Sequence, residues 1–201
     1  MLTERLGRSP TVDTLLLVGG VYLVQRVMAL LGRGITGLLA LAPPVGARPW
    51  TVVTSVYAHA GLAHLLSNAV TLALVGVLVE QTTTRLRFHA FFVATGALSG
   101  LAQVVLTSGG VLGASGAVFA LIGYLLTANP VSAALFDRVR LSRRVQTAVF
   151  AVLAAVVTLA TGAPGVALVA HFTGFALGLL AGRVRLLDPG PRTRTGPAPR
   201  R

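Results

Sequence analysis

The chain has 201 residues, 54% of them hydrophobic, and a mean hydropathy of +0.81, which excludes a soluble globular domain and points to a polytopic membrane protein. All 17 basic residues are arginine, opposed only by Glu4, Asp13, Glu80, Asp137 and Asp188, for a net charge of +12. The arginines lie between and beyond apolar runs, which is a topological pattern and not a nucleic-acid-binding face, and the lack of cysteine excludes disulfides, a thiol nucleophile and a thiolate metal site.

In chain order, residues 1–13 form a short polar lead, and Thr14 to Leu31 form a first apolar span interrupted by Gln25 and Arg26. Residues 32–61 are too broken by Pro43-Pro44 and Arg48-Pro49-Trp50 to cross a membrane and too apolar to float in water. They are expected to lie partly in the bilayer, anchored by Trp50. Further spans are expected at Leu62–Val79, Phe88–Leu106, Gly113–Ala128, Val145–Thr161 and Val166–Gly182, followed by a disordered Arg/Pro/Gly-rich tail. Six spans place both termini on one side. Fourteen arginines fall on that side, against Arg33 and Arg48 on the other, so both termini are expected to be cytoplasmic.

Polar side chains inside spans are costly, so each needs an account. Ser115 stands between small residues, where a hydroxyl either back-bonds to its own helix or serves as a nucleophile. It is not the soluble-hydrolase elbow, because the last glycine of G-x-S-x-G is Ala117 here. Depth brings other polar groups level with it. At a rise of ~1.5 Å per residue, Asn68 and His171 each lie roughly 18 Å above the inner interface, and Ser115 about 21 Å. In a hydrocarbon slab of ~30 Å all three sit at one outer level, with His64 one turn nearer the outside.

A serine needs a base, and His171 is the imidazole at its level. No acid lies in the outer halves of the spans, so the pattern predicts a Ser–His dyad. His64 and Asn68 share one helix face and, with the Ser115 N–H, are candidate donors to an oxyanion. Gly174, Gly178 and Gly182 recur every four residues, and Gly116, Ala120 and Gly123 make a comparable face, which lets two helices pack closely. Gln103 is expected to bond a neighbouring helix.

Three segments in this order, His59-Ala-Gly-Leu-Ala-His64-Leu-Leu-Ser-Asn68, Gly113-Ala-Ser115-Gly116 and Ala170-His171-Phe-Thr-Gly174, resemble the rhomboid family of intramembrane serine proteases. The resemblance covers residues 14–183. It implies an all-α membrane protein, a six-transmembrane-helix rhomboid-like bundle with a partly membrane-embedded first loop, flanked by the 1–13 lead and the 184–201 tail. The implied activity is a serine endopeptidase that cleaves transmembrane protein substrates near their outer ends, without metal or cofactor, in a prokaryotic cell membrane. Ser115 would be the nucleophile, His171 the base, His64, Asn68 and the Ser115 amide the oxyanion donors, and Gly113 the residue that leaves room for the substrate. The fifth span and the 162–165 turn would be mobile elements of substrate entry. Two positions depart from the family pattern. Thr51, not Arg, follows Trp50, and Phe119 stands where many bacterial members have a Tyr stacked on the catalytic histidine.

The partners this implies are transmembrane clients and the lipid bilayer, with no nucleic acid. The alternative is a non-catalytic rhomboid-like protein that binds and routes such clients. A small transporter would string polar groups along a path instead of gathering them at one level. His59 is expected at the water-exposed outer rim, His89 at the opposite interface, and Arg26 is expected to snorkel to lipid phosphates.

Overall fold

The computed structural model describes residues 9–128 and 167–188, together with positions 145, 148, 149 and 152. Apart from those four positions, the expected fifth span, the 162–165 turn, the basic connection after Ala128 and the tail beyond Asp188 lie outside the described residues.

Helix α1 (Pro10–Leu30) begins four residues before the expected span. Its start is set by capping: the Ser9 hydroxyl accepts from Val12 N at 3.2 Å, Pro10 occupies the first turn, and Asp13 complements the helix dipole. A connection of short helices follows, α2 (Thr36–Leu39), a 3₁₀ turn at Val45–Ala47, and α3 (Thr51–Tyr57). Trp50 Nε1 donates to Leu38 O, the Arg48 guanidinium to Gly37 O, and the buried Thr51 hydroxyl to Arg48 O. Helix α4 runs Leu62–Glu80. Helix α5 (Arg85–Thr107) starts three residues earlier than expected, because Thr84 caps it through Arg87 N. It ends where Ser108 turns left-handed before Gly109-Gly110. Helices α6 (Ser115–Ala128) and α7 (Leu168–Arg183) complete the described bundle.

Among the described residues no strand forms. Three helices, α1, α4 and α5, are long and apolar enough to cross a membrane. The expected count of six is therefore only partly met. Helices α6 and α7, with 14 and 16 residues, rise about 21 and 24 Å, short of a ~30 Å core. The length that α6 lacks is taken by the non-helical approach to Ser115. Leu16, Leu23, Leu66, Leu74 and Leu98 face outward, each more than half exposed, as lipid-facing side chains must. The described residues form an all-helical bundle with the apolar spans of an integral membrane protein.

Helix α6 is the centre of the bundle, with Gly116 to Leu121, Gly123 and Tyr124 all buried. It packs on α7 backbone to backbone. A Cβ at Gly174 would collide with Gly116 O, one at Gly178 with Ala120 O, and one at Gly123 with Phe175 O. Gly116 meets α7 as expected and α5 as well. A Cβ there would point at Ser99 of α5, 2.6 Å from its Cβ, while Ala170 O of α7 would be 3.7 Å away. The glycine thus sits where three helices meet, clearing α5 with its α-carbon and touching Gly174 with its carbonyl.

At the end of the bundle away from Ser115, Glu80 accepts from Ser9 Oγ (2.7 Å) and Thr11 N (3.1 Å), which ties α4 to the start of α1. Asp13 pairs with Arg85 at 2.8 Å and with His89 at 3.3 Å, so His89 is a bonded member of this end and not merely an interfacial ring. Arg26 lies over the Tyr22 ring at 5.2 Å.

Candidate active site

Residues 109–114 are non-helical at a depth where free backbone groups would be costly, and the neighbouring connection pairs with them. Leu41 and Val111 exchange both backbone bonds at 2.8 and 2.9 Å, Gly113 N donates to Ser55 O at 2.8 Å, and Ala114 N reaches His59 Nε2 at 3.5 Å. This pinned segment delivers Ser115 as the first residue of α6, half-buried, where helix N–H groups have no partner within the helix.

Gly113 has φ +127°, a conformation that L side chains rarely adopt. A Cβ there would stand 2.6 Å from His64 Cε1, 2.8 Å from His64 Nε2 and 3.8 Å from Asn68 Nδ2. The His64 imidazole and the Asn68 carboxamide therefore converge over Gly113, two residues before the serine. Asn68 is buried. Its Nδ2 donates to His64 O at 3.1 Å and lies 3.1 Å from His59 Nε2, so both of its protons have partners.

His171 is buried in the first turn of α7. Its ring stacks on Phe119, one helical turn after Ser115, with centroids 4.3 Å apart and planes at 18°. Its Nδ1 has no hydrogen-bond partner among the described residues, so stacking and not a carboxylate orients the ring. Ser115 and His171 make no direct hydrogen bond with each other. Just before His171, Gln103 Oε1 of α5 accepts from Ala170 N at 3.1 Å, which satisfies an orphan donor at the start of α7. Ser55, Ser99, Ser115 and Ala170 line a small cavity with room for about one water molecule.

The expectation for His59 is overturned: it is not at an exposed rim but fully buried. Its ring meets His64 edge-on at 5.0 Å. Nδ1 lies 3.1 Å from Tyr57 O, a group that can only accept, so Nδ1 carries the proton and Nε2 is an acceptor. Burial, and next the charge of His64, hold this imidazole down at about 4, against the opposing Tyr57 bond. Gln25, also fully buried, bonds both backbone groups of His59. Neither contact follows from local pattern, although the spacing His59, His64, Asn68 already places three polar groups beside the start of one helix.

A family model described as the Rhomboid domain matches residues 46–187, a stretch that includes His59, His64, Asn68, Ser115 and His171. RHOMBOID-like protein 4 of Arabidopsis thaliana is 35% identical over 146 residues, 72% of this chain and 36% of that protein. RHOMBOID-like protein 5 of the same plant is 30% identical over 144 residues, covering 70% and 45%. Rhomboid protease GluP of Bacillus subtilis (strain 168) is 36% identical over a shorter stretch of 77 residues, 38% of this chain and 15% of that protein. The chain spans less than half the length of each of these relatives. With a helical membrane bundle, a serine at a helix start and a domain match over most of its length, this chain belongs to the rhomboid family.

Proposed function

We propose that the chain is an intramembrane serine endopeptidase acting on transmembrane segments of membrane-anchored proteins near their outer ends. The observation that carries this reading is the convergence of His64 and Asn68 over Gly113, beside a serine whose next helical turn stacks on His171. Ser115 Oγ attacks the scissile carbonyl while His171 takes its proton. The Ser115 N–H, His64 and Asn68 receive the negative oxygen of the tetrahedral intermediate. Collapse breaks the C–N bond, and the imidazolium returns its proton to the leaving nitrogen. Water then attacks the acyl-serine with His171 again as base, releasing the new carboxyl end and restoring Ser115.

Gly113 leaves space for the substrate backbone, Phe119 steadies the base, and Gly116, Gly174 and Gly178 hold α6 and α7 in register. Residues 14–183 form the catalytic unit, with the lead and the tail outside it. The arginine asymmetry supports six spans and cytoplasmic termini, the reading being of a prokaryotic cell membrane protein with its first loop partly in the bilayer.

The deciding experiment labels purified protein with a serine-directed fluorophosphonate, comparing wild type with Ser115→Ala. Labelling confined to the wild type is expected. Equal labelling would remove Ser115 as nucleophile, whereas no labelling together with capture of a transmembrane client would favour the non-catalytic, client-routing reading. Gly113→Ala tests the space above the turn. The strained φ costs of order 1–3 kcal/mol, and the methyl meets the His64 ring. A fall in kcat of about tenfold or more, with unchanged far-UV circular dichroism, is expected. Wild-type kcat would show that the His64 ring is not needed where it stands.

A further inference from the structure

We propose that His59 is a positioning residue for Asn68: its Nε2 lone pair holds one Nδ2 proton of the carboxamide and so leaves the other to be handed to the oxyanion. The proposal rests on the reading of the site given above.

His59 is anchored from behind. Its N–H donates to Gln25 Oε1 at 3.1 Å, and Gln25 Nε2 donates to its carbonyl at 3.2 Å and to Thr36 Oγ1 at 3.0 Å. All three elements of that carboxamide are engaged, so the backbone of His59 has little freedom. The ring is then fixed by Tyr57 O at Nδ1, which leaves Nε2 as an acceptor facing two donors, Asn68 Nδ2 and Ala114 N. One atom thus ties the start of α4 to the turn that leads into Ser115.

The two bonds of Asn68 are not equivalent. The His64 carbonyl that accepts one Nδ2 proton is also the regular helical acceptor for the Asn68 backbone N–H, so losing the side-chain bond leaves that carbonyl paired. His59 Nε2 has no such reserve beyond the long contact to Ala114 N. When a negative oxygen arrives, the back-bond to His64 is therefore the one exchanged for a charge-assisted bond, and the His59 bond remains as the pivot. An apolar residue at 59 would strand two buried donors and let the carboxamide turn away.

The test uses full-length protein reconstituted in liposomes with a transmembrane reporter substrate. His59→Leu is expected to lower kcat by about tenfold or more while leaving KM within about twofold, in line with losing an oxyanion donor. Because His59 acts through Asn68, the loss should shrink to a few-fold when Asn68 is already alanine. His59→Gln, which keeps an acceptor at similar reach, should recover most of the rate. Full multiplication of the two losses, wild-type kcat in His59→Leu, or a His59→Gln no better than His59→Leu would overturn the proposal. Should His59→Leu fail to fold, histidine-selective ¹⁵N spectra of the wild type decide, with His59→Gln identifying the signal. A proton on Nδ1 and none on Nε2 is expected, and the reverse tautomer overturns the proposal. This spectrum reads His59 even in a protein that cleaves nothing, so failure of the protease reading and failure of the positioning role give different results.

Discussion

Ser115→Ala and His171→Ala are each expected to slow cleavage of a membrane-embedded substrate by at least about 10⁴-fold, and the double variant to be no slower than either alone. In the proposed mechanism the two side chains act as one unit. Without the hydroxyl there is nothing for the imidazole to deprotonate, and without the imidazole the hydroxyl stays protonated and weakly nucleophilic. KM should hold, because neither group carries the bulk of substrate binding. The measurement is single-turnover cleavage in liposomes across the four proteins. A His171→Ala rate within tenfold of wild type would move the base elsewhere, and His64 would be the first group to examine.

Gly178→Ala is expected to be among the most damaging single-methyl changes in the described bundle. The new Cβ would strike the Ala120 carbonyl, which is main chain and cannot rotate aside, so α6 and α7 must separate along their shared face. Overpacking of this kind costs roughly 1–3 kcal/mol or more. The separation also propagates, because Phe119 and His171 stack across the same interface. Both the detergent melting temperature and kcat should therefore fall, and Gly174→Ala, which meets Gly116 O, should behave alike. A variant with wild-type melting and rate would show that the helices are not held at this distance. Gly19→Ala is the control, since a Cβ there meets nothing within 4 Å.

Much of this was legible because membrane helices obey short-range rules. Spacing of four placed Gly174, Gly178 and Gly182 on one line, and counting residues from the polar ends of the spans put Asn68, Ser115 and His171 at one expected level. Helix starts were read late wherever polar caps preceded apolar sequence, as at Ser9 and Thr84, since hydropathy does not register a cap. The burial of His59 escaped because its partner Gln25 comes 34 residues earlier, and no local window joins them. A histidine near a membrane rim is costly to bury only if its polar atoms lack partners, and here every one is met. Gly116 meets α7 as its spacing implied, but its second neighbour, Ser99 of α5, was not legible, because periodicity gives a direction without saying how many helices stand there.

The pinning of residues 111–114 by Leu41, Ser55 and His59 bears on the order in which the chain is made. Synthesis runs from the amino end, so the segment that pins the turn precedes the turn by more than 50 residues, and α7 with its histidine emerges after α6. A nascent chain inserted as far as α6 carries the partners that pin the turn before Ser115 but does not yet carry His171. On the proposed serine-protease reading, nucleophile and base meet only when α7 docks on α6, so a copy still lacking α7 would be unable to cut its neighbours.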